Sequence, residues 1–127
     1  MKNVDKIIED TVNRTVLKLK VAGLMKDDRK SAAQKTEELL RNYPAFKLSD
    51  QPYTKKLCEK IERAMKTIDK DYYFEIIALY YFEKMTREEI AEHFNTSETT
   101  ISRNKRRLIN SLSAVLFSDD LIFDLFL

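Results

Sequence analysis

From Glu98 onward the chain sets out side chains whose chemistry suits the edges of nucleic-acid bases: Glu98, Thr99, Ser102 and Arg103, followed by Lys105 and Arg106. An arginine fork can donate two hydrogen bonds to guanine O6 and N7, a glutamate can accept from cytosine N4, and a threonine methyl fits the thymine methyl. Serine discriminates less. Lysine and arginine further along suit phosphates, which hold register and add salt-dependent affinity without sequence information. These residues share a helix only if the apolar ones interleave correctly, and they do. Ile101, Leu108 and Leu112 fall on one helical stripe and leave the polar residues on the other faces.

The elements that must position this helix are legible just upstream. In TREEIAEHFNTSETTISRNKRRL, residues 86–108, Thr86 and Glu89 have the spacing of a capping box, so a helix starts at Arg87. Ile90, Ala91 and Phe94 recur at helical spacing, with Ala91 small where a second helix must approach. Asn95 is the residue type other than glycine that best tolerates the left-handed conformation ending many helices, and Ser97 offers a fresh N-cap. The pattern is that of a helix-turn-helix. A preceding helix over Tyr72 to Phe82, with Ile76, Leu79 and Tyr80 inward, would close its core.

This span resembles the DNA-reading C-terminal domain of sigma factors (region 4), and more closely the phage late-gene transcription regulators of the ArpU and RinA type. AQKTEELLRNYPAFK, residues 33–47, resembles a segment of the N-terminal half of those phage proteins, and RRLINSLSAVLFSDDL, residues 106–121, resembles their C-terminal end. The resemblance implies a phage or prophage regulator that assists RNA polymerase, with Thr86 and Arg87 also touching the DNA backbone. It departs at Asn104, where the sigma-type module is often apolar. A helix-turn-helix alone is shared with the small terminase subunits that recognise phage DNA for packaging, and a basic helix can also serve a purely protein-binding module.

Composition agrees with an all-α protein. A single glycine and two prolines in 127 residues leave few places for hairpin turns, and 35% of residues are charged. Helices are expected over Val4 to Gly23, with Gly23 as the stop, over Ser31 to Tyr43, ended by Pro44, and over Tyr53 to Lys70, with Leu57, Ile61, Met65 and Ile68 buried. The third could run on into the fourth, since no glycine or proline separates them. Two regions result: residues 1–70 as an N-terminal helical region for oligomerisation or partner contact, and residues 71–127 as the helix-turn-helix domain with an apolar helical tail.

The net charge of +2 conceals a division along the chain: +6 over residues 1–70 and −4 over residues 71–97, with +3 over residues 98–112. Positive charge therefore collects on the reading helix and the N-terminal half. The tail, LSAVLFSDDLIFDLFL, is strongly apolar for a chain end and needs cover, either from the N-terminal helices or from a second copy through Leu121, Ile122, Phe123, Leu125 and Phe126.

Little points to catalysis. The lone Cys58 cannot form an internal disulfide, no apolar run approaches the ~20 residues of a membrane span, and no leader pattern opens the chain, so a cytoplasmic setting is expected. His93 has no second histidine or cysteine at ligand spacing and reads as a surface residue, with no metal or cofactor expected. Glu88, Glu89 and Glu92 read as a solvated face. The helical spacing of Tyr72, Tyr73, Phe74, Tyr80, Tyr81 and Phe82 argues that most of these rings pack in the core rather than form a stacking platform for bases.

Overall fold

The computed structural model describes Val21 and residues 23–118, all helix, turn or loop, with no strand among them. Two compact units are present, Met1–Ser31 and Ala32–Leu127. In the first, residues 23–26 are helical, so the helix does not stop at Gly23. A Cβ on Gly23 would meet nothing within 4 Å, and glycine alone only lowers helix propensity. The turn after it is closed instead by Asp27, whose carboxylate accepts the Arg29 N–H and Nε, both at 3.0 Å. The other residues of the expected first helix lie outside the described ones, as do the tail residues from Asp119 on.

Among the described residues, the second unit holds five α-helices, labelled α1 to α5, and one π-helical turn. Helix α1, Ala32–Lys47, contains Pro44 rather than ending before it. Proline deletes the N–H that would bond the Leu40 carbonyl, and inside a helix this costs about 3 kcal/mol. Contacts on both sides of the proline offset that cost. Phe46 is buried, the Tyr43 ring lies on Phe82 at 4.8 Å, and one oxygen of Glu62 accepts both the Tyr43 hydroxyl and the Lys47 ammonium at 2.6 Å. Those two donors hold the Glu62 carboxyl below its usual range.

Helix α2, Pro52–Lys66, starts with proline at its first position, where a missing N–H costs nothing. Its buried stripe is Leu57, Cys58, Ile61 and Ala64, continued by Ile68; Met65 is only half-buried. The helix stops at Thr67, whose hydroxyl bonds the Ala64 carbonyl at 2.6 Å. Residues 67–74 form turns, so the third expected helix ends short of Lys70 and does not run on into the fourth. Asp71 is the reason: its carboxylate takes the Tyr73 N–H at 2.9 Å, an Asx-type turn that competes with helix.

Helix α3 is Glu75–Ile77 and runs directly into a π-helical turn, Ala78–Phe82. Ile76, Ile77 and Tyr81 are its deeply buried side chains, while Leu79 and Tyr80 are partly buried against the core. Helix α4 is Arg87–His93 and helix α5 is Glu98–Leu116. Helix α5 packs against α1, α2, α3 and α4, burying Ile101, Leu108, Ile109, Leu112 and Leu116. Thr36 of α1 and Ser113 of α5 share a buried hydroxyl pair at 2.8 Å, and Thr36 also reaches the Ala32 carbonyl, so two hydroxyls enter the core with partners. The division expected at residue 70 therefore falls inside one core, in which α1 and α2 lie directly on α5.

Candidate nucleic-acid interface

The helix-turn-helix is built by local chemistry. The Glu89 N–H donates to the Thr86 hydroxyl and the Thr86 N–H to the Glu89 carboxylate, each at 3.2 Å, which completes the capping box. Asn95 has φ 52°, in the left-handed region. The Thr96 N–H reaches the Ala91 carbonyl at 2.9 Å and the Asn95 N–H reaches Glu92 at 3.1 Å, which is the Schellman pattern of helix ends. Ser97 then caps α5 by accepting the Thr100 N–H at 3.1 Å. Ile76, Ile90, Ala91 and Ile101 form the core beneath this turn, with Tyr73, Leu79, Tyr80, Met85 and Phe94 packed around them. Burying each large aliphatic side chain contributes roughly 1.5–3 kcal/mol, so the angle between α4 and α5 is strongly held.

That core leaves one side of α5 open. Glu98, Thr99, Arg103 and Arg106 are exposed and Ser102 is half-buried. Neither Arg103 nor Arg106 forms an ion pair among the described residues. Thr86 and Arg87 are exposed at the start of α4, and the Arg87 guanidinium donates to the Ser102 hydroxyl at 3.1 Å, which fixes the start of α4 beside the open face. Arg87, Ser102, Lys105 and Arg106 line a hollow of about 410 Å³, closed on its other side by Ala33 and Glu37 of α1. A second hollow, of about 330 Å³, is lined by Arg41, Tyr80, Tyr81, Lys84, Met85 and Thr86.

Two cations of the basic run are less free than the sequence implies. Lys105 is half-buried, with its ammonium 4.1 Å from the centre of the Tyr80 ring, a cation–π contact. Arg107 donates to both carboxylate oxygens of Asp71, at 2.7 and 3.0 Å. Asn104, polar where the sigma-type module is often apolar, is used by its neighbours: its amide donates to the Thr100 carbonyl at 2.9 Å, and its oxygen accepts from Arg107. Neither pairing could be read from spacing along one helix, because Asp71 and Tyr80 come from other elements.

The remaining singled-out residues are surface or core. The exposed His93 sits with Nε2 3.0 Å from a Glu75 oxygen. Tyr72 is 74% exposed and touches Tyr73 edge-on, whereas Tyr81 is fully buried and donates its hydroxyl to Glu37 at 2.6 Å. Burial and that carboxylate push the Tyr81 hydroxyl far above its ordinary pKa. Among the described residues no helix is long and apolar enough to cross a membrane, and no group of His, Cys, Asp and Glu is placed to hold a metal ion.

No curated protein and no solved structure gives a match to the chain. Residues 75–114, from the first residue of α3 to near the end of α5, match the Sigma-70, region 4 family. This segment is thus a sigma-70 region 4 domain, a DNA-binding helix-turn-helix of which α4 is the first helix and α5 the second.

Proposed function

We propose that the chain is a sequence-specific regulator of phage or prophage late-gene transcription that reads double-stranded DNA with α5 in the major groove. The observation that carries this reading is the open face of α5, where Glu98, Thr99, Ser102 and Arg103 stand at the N-terminal end of a helix whose opposite face is locked in the core. In helix-turn-helix docking the N-terminal residues of the second helix meet the base edges, while the first helix crosses the backbone. Thr86 and Arg87 then meet phosphate from α4, and Lys105 and Arg106 from further along α5. The phage role is supported by the resemblance of residues 33–47 and 106–121, two stretches that pack on each other through Thr36 and Ser113.

One such module covers little DNA, and tight specific binding at physiological salt needs more contact. A second copy of the chain would set two reading helices about 34 Å apart on an inverted-repeat site. A polymerase-bound monomer would read one asymmetric element instead. The test is retention of genomic fragments from a host carrying the gene on the purified protein, followed by sequencing. Enrichment of a site beside the late genes supports the reading, and its symmetry distinguishes dimer from polymerase partner. Enrichment at a packaging site would favour a terminase-like subunit, and no enrichment would favour a protein-binding module.

A further inference from the structure

Helix α1 lies alongside the helix-turn-helix with one stripe, Ala33, Glu37 and Arg41, spaced four apart and so on one face. Ala33 and Glu37 border the hollow that holds Arg87 and Arg106, whereas Arg41 borders the neighbouring hollow with Lys84 and Thr86. The Arg41 guanidinium lies 5.8 Å from the centre of the Tyr81 ring, and the Lys84 ammonium donates to the Arg41 carbonyl at 3.3 Å. Two cations that come neither from α4 nor from α5 thus converge next to Thr86, at the start of the first helix. Neither has a carboxylate partner among the described residues, and the nearby Glu37 is engaged by the Tyr81 hydroxyl.

The backbone of Lys84 adds an independent observation. Its φ is 59°, in the left-handed region, at the position after a helix where glycine is usual. A Cβ is strained there, and the exposed Lys84 side chain returns no core packing for that strain. What lysine adds over glycine at this site is a cation, held against α1 beside Arg41.

We infer that Arg41 and Lys84 form a phosphate clamp that seats the DNA backbone beside the start of α4, so that α1, outside the sigma-type segment, takes part in DNA binding. The inference rests on the DNA-reading role proposed above. Docking carries the backbone across the first helix, which brings a phosphate past Thr86. There the arginine fork can give two charge-assisted hydrogen bonds and the lysine a point charge.

The test is an anisotropy titration of a mixed-sequence duplex over a series of salt concentrations, with Lys84→Gly, Arg41→Gln, the double variant, and Lys55→Gln on α2 as control. Each lost phosphate contact should flatten the plot of log affinity against log salt by about 0.9, and the double variant by about 1.8. Lys84→Gly should melt at the same temperature as the unaltered protein or higher, which separates lost contact from lost fold. An unchanged slope for Lys84→Gly and Arg41→Gln, with DNA bound by the unaltered protein, would overturn the clamp and leave the reading helix standing. An unaltered protein that binds no duplex would overturn the DNA reading itself, and the clamp with it.

Discussion

Asp71→Asn tests how the turn before α3 is fastened to α5. The Asp71 carboxylate accepts two bonds from Arg107, at 2.7 and 3.0 Å, and the Tyr73 N–H at 2.9 Å. The guanidinium holds this carboxyl below its ordinary range, with the Tyr73 N–H assisting, and the carboxylate raises Arg107 in return. The two side chains are 26% and 48% exposed. Water therefore screens the pair, and its worth is about 1 kcal/mol, at the upper edge of exposed pairs and well below the penalty for breaking a buried one. Asparagine keeps the shape and one acceptor for Tyr73 but loses the charge. Because the folded carboxyl titrates lower than the unfolded one, its stabilisation is fully present above the unfolded pKa of about 3.9 and is lost as pH falls through the folded value. Asp71→Asn should thus lower stability by about 1 kcal/mol at pH 7, or about 4–8 °C in melting temperature for a domain of this size. At a pH well below the folded value it should cost almost nothing. Urea melts of the single variants Asp71→Asn and Arg107→Met and of the double variant supply the coupling energy. Zero coupling at neutral pH, or a cost for Asp71→Asn that does not shrink in acid, would refute the reasoning.

Three further outcomes are expected. Arg103→Ala should lose about 1–3 kcal/mol of discrimination at one base pair of a selected site, measured against single-substituted duplexes; equal weakening on cognate and random DNA would place Arg103 on phosphate. Lys105→Met should flatten the salt dependence of binding by about one unit and destabilise the free protein by about 0.5–1 kcal/mol through its Tyr80 contact; an unchanged slope would remove Lys105 from the DNA surface. Thr86→Ala should cost about 1 kcal/mol of stability, and adding Glu89→Ala should cost less than it does alone, since the two cap each other; strictly additive melts would contradict a shared cap.

Where local chemistry decides the structure, it was readable in the residue order. Thr86, Glu89, Asn95 and Ser97 act on their own backbone within a few positions, and each sits where its type suggests. The stripe of Ile101, Leu108 and Leu112 was readable for the same reason, as helical spacing is a local property. Pro44 misled because its penalty is local while the contacts that outweigh it, Phe82 and Glu62, come from elsewhere in the chain. Whether residues 67–74 break the helix was left open in the residue order, because Asp71 is committed to a turn that Arg107 reinforces from 36 positions away. A boundary at residue 70 followed charge and motif, neither of which reports that Thr36 and Ser113 meet in the core. On the candidate interface, the types and spacing on α5 were legible, but the rings and carboxylates facing Lys105 and Arg107 were not.

The π-helical turn at Ala78–Phe82 turns chain length into a structural variable. A π turn, bonded i→i+5, holds one residue more than an α turn. Three consecutive rings here meet three partners: Tyr80 faces Lys105 of α5, Tyr81 faces Glu37 of α1, and Phe82 faces Tyr43 of α1. Removing one residue between Ile77 and Glu83 would rotate the chain beyond the deletion by about 100° and break that distribution. Chain length between Ile77 and Glu83, more than residue type, thus sets which partner each ring meets.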